Sequence, residues 1–232
     1  MRNKTILGII LLVGICIGSY VYKNRYLFFK TLPTVKDEQL KILNGKRYDE
    51  NGKLFSGRIK FIENGYKYIG DNYTYIYSCK NGELNGLYVI YYKQNIKEIG
   101  YMKNGEQNGI FELYEKGMLI ERGTFKNGKR DGLTERFHND SGKIMESANY
   151  KNGVIEGEFK TYYPNGKLEG EVNYKNGNPN GECKGYYENK NIKFTGSFKE
   201  GLPDGIWRHY SENGEIIEEK LFKEEELVDE YL

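Results

Sequence analysis

Six Gly-x-x-x-Gly pairs are the first place to look for chemistry in this 232-residue chain: Gly82/Gly86, Gly105/Gly109, Gly128/Gly132, Gly153/Gly157, Gly177/Gly181 and Gly201/Gly205. Glycine-rich loops cradle phosphate when their amides converge ahead of a helix. No Gly-x-x-x-x-Gly-Lys-Ser/Thr run occurs, and strand-forming residues follow each pair, so all of these glycines are read as structural turns. The two histidines, His138 and His209, fall in different copies of a repeat. A metal site or catalytic triad needs its members within a few ångströms, so they are read as ordinary strand residues. Carboxylates are plentiful but spread evenly, and each reads as a solvated strand residue. The sequence therefore names no catalytic, cofactor-binding or metal-binding residue and points away from an enzyme.

The elements that would position any site come from the same glycines. Successive first glycines lie 23, 23, 25, 24 and 24 residues apart, the mark of a repeat architecture. Each unit has two turn signals. The first precedes the opening glycine: Asn81-Gly82, Asn104-Gly105, Asn127-Gly128, Asn152-Gly153 and Asn176-Gly177. The second lies 11 residues earlier, at Lys116-Gly117, Ser141-Gly142, Asn165-Gly166 and, in the last copy, Asn213-Gly214. Asn-Gly suits a two-residue hairpin turn, whose central residues both take positive φ. The second glycine of each pair is placed where a strand restarts after the turn and a bend or close approach excludes a Cβ.

Strand formers fill the intervals. Two positions after the second glycine stand Tyr88, Phe111, Thr134, Phe159, Cys183 and Trp207. Five after it stand Tyr91, Tyr114, Phe137, Tyr162, Tyr186 and Tyr210. No window sustains a helical apolar period. Each copy is thus a β-hairpin, and six copies predict an all-β, elongated, single-layer antiparallel sheet, advancing roughly 10 Å per copy. Hairpins are marginal alone, so stability must come from stacking. The two aromatic rows have opposite parity: either a bulge brings them to one face or both faces carry aromatics.

The pattern resembles the MORN repeat, and more closely its bacterial variant in proteins of the YwqK antitoxin family. The glycine pairs, the aromatic two after the second glycine, and the stretch Tyr162–Gly177 carry the resemblance, which covers roughly residues 44–222. It implies an elongated antiparallel sheet serving as a scaffold, a dimerisation element or a membrane-proximal module. The YwqK label implies an antitoxin or immunity protein with one toxic protein partner. Thr134 and Cys183 depart from the aromatic pattern, 48–80 is irregular, and the last copy runs into an acidic cap, 223–232. A weaker resemblance, to choline- and glucan-binding cell-wall repeats, lacks their paired tryptophans, since Trp207 is the only one.

The first 30 residues differ. Arg2 and Lys4 precede the uncharged, largely apolar run Thr5–Tyr22, and Lys23, Arg25 and Lys30 follow. This reads as a secretory signal or, preferably, an uncleaved signal-anchor helix, with a linker over 31–47. Both readings put the repeats outside the cytoplasm. Cys16 lies in the leader, and Ile15 before it does not suit a lipobox. Cys79 and Cys183 occupy slots that hold aromatics in other copies and read as small buried substitutes. Net charge is +2, and no dense basic stripe marks a nucleic-acid surface. The expected function is a non-enzymatic binding or scaffold surface for a protein or envelope partner. Tyr91, Tyr114, Tyr162, Tyr186 and Tyr210 are the candidate contacts, with cross-strand packing as their competing role. Exposed sheet ends would allow homodimers.

Overall fold

A computed structural model describes residues 34–36, 39–44, 46–64, 72–223 and 226–231. The expected N-terminal signal or anchor helix lies outside the described residues. Among those described, the chain is all-β, and no helix is long and apolar enough to cross a membrane.

The chain forms two compact units: Met1–Gln94 with Tyr101–Gly105, and Asn95–Gly100 with Glu106–Leu232. The first contains β1 (Thr34–Lys36), β2 (Lys41–Leu43), β3 (Lys46–Tyr48), β4 (Gly57–Asn64), β5 (Asn72–Lys80) and β6 (Glu83–Tyr92). Strand β7 (Asn95–Lys103) is divided between the units. The second continues with β8 (Glu106–Glu115), β9 (Met118–Lys126), β10 (Lys129–Arg130), β11 (Gly132–Phe137), β12 (Ile144–Lys151) and β13 (Val154–Tyr162). It ends with β14 (Leu168–Lys175), β15 (Asn178–Tyr186), β16 (Ile192–Lys199), β17 (Leu202–Tyr210), β18 (Ile216–Lys223) and β19 (Glu226–Tyr231).

In the first unit β4, β5 and β6 pair antiparallel, and β1 joins β4 in parallel. The irregular segment wraps the first repeat turn: Arg47 N–H donates to Gly82 O, and Gly82 N–H donates to Phe55 O. Leu87, Tyr88 and Val89 are consecutive and all buried, so β6 is covered on both faces. The second unit is a meander in which each strand from β11 to β19 pairs antiparallel with the next. The sequence places no strand after the last copy, yet β19 adds one.

The Asn-Gly turns follow their chemistry. Gly82, Gly105, Gly128, Gly153, Gly177 and Gly201 all occupy turns. Asn127 and Gly128 have φ of 51° and 73°, and all six first turns have positive φ at both central residues, including Glu200 at 53°. The second turns differ from expectation. At Ser141-Gly142, Asn165-Gly166 and Asn213-Gly214 only the glycine has positive φ. There the chain makes a longer loop, closed by bonds such as Tyr163 N–H to Lys167 O and Gly166 N–H to Tyr163 O. This is a type I turn with a left-handed residue after it. The same dipeptide thus serves two loop lengths.

The second glycine of each pair is not a turn residue, which corrects its grouping with the structural turns and agrees with its reading as a strand position after the turn. Gly86, Gly109, Gly157, Gly181 and Gly205 lie inside β6, β8, β13, β15 and β17, and Gly132 opens β11. All six still have positive φ, from 75° at Gly205 to 109° at Gly86 and 111° at Gly109. A single left-handed residue within a strand bulges it rather than reversing it. Tyr77 pairs with Tyr88 and Cys79 with Leu84, so three residues centred on Gly86 oppose one on β5. Thr195 pairs with Arg208 and Ser197 with Asp204, which leaves Gly205, Ile206 and Trp207 opposite one residue of β16. Gly109 meanwhile keeps its place in the ladder on its other side, paired with Phe125. The chain reverses once per pair, at the first glycine, and the strand is already under way at the second.

Backbone geometry, more than small size, explains these positions. A Cβ at Gly157 or Gly181 would meet nothing within 4 Å, and at Gly205 it would make ordinary contact with Ser197 Oγ at 3.6 Å. Left-handed φ alone excludes a side chain there. Gly86 also has the expected close approach, since a Cβ would lie 3.1 Å from Ser78 Cβ.

Candidate interaction surface

The register resolves where the two aromatic rows face. Leu113 pairs with Glu121 and Tyr114 with Leu119, so the extra residue is Ile120, on the returning strand. Met145, Glu169, Lys193 and Ile217 take the same place in later copies. From the first aromatic to the second the outgoing strand keeps its alternation, so the two rows lie on opposite faces.

The apolar face holds the sheet together. Phe111 is 2% exposed, with its ring 4.6 Å from Phe125 and 5.3 Å from the Arg130 guanidinium. Opposite four members of this row the returning strand is smaller, with Gly123 facing Phe111, Ala148 facing Thr134, Val172 facing Phe159 and Gly196 facing Cys183, whereas Lys220 faces Trp207. A Cβ at Gly196 would enter the Trp207 ring, which lies over that glycine. Cys79 and Cys183 are both buried and free, as substitutes for aromatics should be. Burial pushes the Cys183 thiol up to about 11. Little thiolate exists at neutral pH, so Cys183 should react with a disulfide reagent at pH 7.5 only as fast as the unit opens. A rate far above the unfolding rate, followed by absorbance of the released thiol, would contradict this burial.

Thr134 is 3% exposed, and its hydroxyl has no hydrogen-bond partner. A buried unpaired hydroxyl costs on the order of 1–3 kcal/mol, so Thr134→Val should raise stability by about 1 kcal/mol. Urea unfolding reads the change, and a loss of stability would mean that the hydroxyl is bonded.

The opposite face is polar and presents four rows in the second unit. One crosses ten strands in register: Glu112, Arg122, Glu135, Ser147, Lys160, Glu171, Lys184, Thr195, Arg208 and Glu219. Opposite charges meet along it, with Arg122–Glu135 at 2.5 Å and Arg208–Glu219 at 2.6 Å. Such cross-strand pairs contribute about 0.2–1 kcal/mol each and fix register. Beside it runs a more exposed row: Ile110, Leu133, Glu158, Glu182 and Ile206. A depression of about 160 Å³ lies between the fourth and fifth copies, lined by Glu158, Lys160, Glu171, Asn173, Glu182 and Lys184. It is smaller than a pocket that encloses a small ligand, roughly 300–1,000 Å³.

The third row is the candidate tyrosines. Tyr114, Tyr162, Tyr186 and Tyr210 lie half-buried on this face, and Tyr91 is half-buried in the first unit. Tyr114 OH donates to Glu112, Tyr186 OH donates to Glu171, and Tyr210 OH lies 3.5 Å from Thr195 Oγ1. Interactions within the sheet therefore engage these three hydroxyls. Burial, then the hydrogen bond to Glu171, pushes the Tyr186 phenol up to about 12. The fold favours the neutral phenol, so its contribution is full below pH about 10 and drains as pH rises to about 12. Tyr186→Phe should flatten that alkaline loss of stability, measured by urea unfolding at stepped pH. An unchanged slope would place the loss elsewhere.

The fourth row is one that linear reading misses. Lysine stands two before each first glycine, and Lys126, Lys151, Lys175, Lys199 and Lys223 are all exposed. The sequence holds no dense basic stripe, but the fold brings these lysines to one edge. Alternation along β14 puts Lys175 on the polar face with Asn173 and Glu171.

Both edges are laced from copy to copy. On the first-turn edge Gly128 N–H donates to Gln107 O, Gly153 N–H to Arg130 O, Gly177 N–H to Ile155 O and Gly201 N–H to Pro179 O. On the other edge His138 Nε2 donates to Tyr162 O, Tyr163 OH donates to Tyr186 O and Tyr187 OH donates to Tyr210 O. His138 is thus committed to the backbone. It lies six strands from His209, whose Nδ1 is 2.8 Å from Glu218. Among the described residues no cluster of His, Cys, Asp and Glu has the arrangement of a metal site.

Hairpins of this period, with a glycine turn, a glycine bulge four residues on and a buried aromatic two beyond it, decide the identification. The family model for the MORN repeat variant matches residues 155–176, 179–200 and 203–224. Residues 155–224 carry MORN repeats. The three matched MORN copies are consecutive and span β13 to β18. No curated protein matches the chain. MORN repeats are consistent with a repeat-type binding protein.

Proposed function

We propose that this chain is a non-enzymatic binding or scaffold protein, exported or held at the membrane by its N-terminal segment, that holds a protein partner on the polar face of its repeats. The observation that carries this reading is the ten-strand polar row with an exposed row beside it. The apolar face spends its aromatics on the sheet itself. The polar face repeats similar chemistry from copy to copy, and the depression between its fourth and fifth copies is shallow. Repeated weak contacts along such a face add by avidity without any new chemistry. The apolar leader flanked by basic residues supports placement outside the cytoplasm.

Crosslinking in intact cells, followed by capture of the chain, tests the reading. Protease accessibility is measured on the same sample. The expected result is one stoichiometric protein partner and repeats cut by external protease. Capture of nothing, or repeats shielded until the membrane is opened, would overturn the corresponding part. A product at twice the chain's mass would make a second copy the partner.

A further inference from the structure

We infer that the polar face of the second unit holds an amphipathic helix of the protein partner, laid across the strands along an apolar stripe at the second-turn edge. The inference rests on the binding reading above and names the shape of the partner. Register builds the stripe. Tyr162 pairs with Leu168, Tyr186 with Ile192 and Tyr210 with Ile216. Paired residues share a face, so an aliphatic side chain stands between successive tyrosines. The two copies before them repeat the pairing, Tyr114 with Leu119 and Phe137 with Ile144. Six consecutive strands, β13 to β18, thus each place one apolar side chain in the stripe.

The stripe is accessible and already ordered. Ile192 is 40% exposed and Ile216 56%, and the other four of these six are half-buried. The Tyr186 hydroxyl is tied to Glu171 and the Tyr210 hydroxyl lies 3.5 Å from Thr195 Oγ1, so covering those rings orders little that was free. Charges of both signs border the stripe. Glu171 and Lys184 lie one row inward, and the bulge residues Glu169 and Lys193 are exposed beside it. No one sign prevails there, so apolar contact and spacing, not net charge, select the occupant.

The spacing fits a helix. Strands about 4.8 Å apart set one apolar residue at that interval along the stripe. A helix with apolar residues alternately three and four apart presents one about every 5.3 Å. An extended strand presents its same-face residues about every 6.7 Å. A polyproline II segment presents one about every 9.3 Å and skips every other member. Width agrees with spacing. A helix is about 10 Å across, so it covers the stripe and leaves the charged row at its rim. A second copy packed face to face would bury that charged row at a desolvation cost. A bilayer would have to take in Glu169 and Lys193 with the apolar residues.

A photo-crosslinking residue placed singly at Leu168, Ile192 and Ile216 of the full chain tests this in intact cells, with the attachment site on the partner mapped by mass spectrometry. The expected result is a set of attachment sites that advance in one direction by about six or seven residues per copy, because a helix of that length spans two strand spacings. An advance of about three residues marks an extended segment and overturns the inference. So do adducts on a second copy of the chain or on lipid. Ile192→Ser and Ile216→Ser together should cut the adduct from a crosslinker at Glu182 about tenfold or more, with an unchanged Tm. An undiminished adduct overturns the inference. The two readings separate in the same cells. If Glu158, Glu182 or Ile206 captures a partner while Leu168, Ile192 and Ile216 capture none, the helix fails and the binding reading stands. If no position on the polar face captures a protein, the binding reading itself fails.

Discussion

Phe111→Ala is expected to lower the unfolding free energy of the second unit by about 3–5 kcal/mol, the usual range for a fully buried phenylalanine. Phe111 is among the largest fully buried side chains described. Its ring contacts Phe125, and the Arg130 guanidinium covers it while reaching Glu121 at 2.5 Å. The vacated space has little to fill it. Gly123 opposite has no side chain, and Thr134 in the next copy is small. Phe159 holds the equivalent slot but is only half-buried, with Val172 opposite. Phe159→Ala should therefore cost clearly less. Equal losses from the two, measured by urea unfolding, would mean that burial does not grade this row.

Gly196→Ala is the second large effect. One methyl group there enters the Trp207 ring, which Phe198 at 5.0 Å and Phe194 at 6.1 Å hold in place. Overpacking of this kind costs about 1–3 kcal/mol. The contrast is Gly181→Ala, which meets open space and costs about 1–2 kcal/mol through its left-handed φ alone. The two costs have different remedies. Trp207→Leu should recover part of the Gly196→Ala loss and none of the Gly181→Ala loss. A double-mutant cycle on urea midpoints reads this coupling, and no coupling between positions 196 and 207 would contradict the packing described.

Much of this fold is legible in the sequence because glycine and asparagine report backbone geometry directly. Asn152-Gly153 asks for two positive φ values and takes them. Asn165-Gly166 looks the same but sits in a longer loop, because Tyr163 pairs across to Lys167. That difference lies in the neighbouring strand, not in the dipeptide. Gly86, Gly109 and Gly205 likewise announce positive φ, yet a turn and a bulge ask for the same φ. Only the pairing of the adjacent strands tells that these three sit within strands. The aromatic slot is legible from residue type, whereas the slot facing it varies in type from glycine to valine. Gly123, Ala148, Val172 and Gly196 recur with the repeat period and were available as a signal. Face assignment needs the returning-strand bulge, and nothing in Ile120 or Lys193 announces one. Tyr186 is marked by its period, but only the structure shows its hydroxyl committed to Glu171. Lys151, Lys175 and Lys199 are far apart along the chain and form no dense basic run, yet they end alternate strands of one meander.

The most direct test of the account is where a partner touches the repeats. A photo-crosslinking residue placed singly at Glu158, Glu182 or Ile206 samples the exposed row of the polar face. The same residue at Arg136 samples an exposed position on the apolar face. Irradiation of intact cells should give a partner adduct from the first three sites and none from Arg136. Adducts from Arg136 alone, or from all four sites equally, would contradict a docking surface on the polar face.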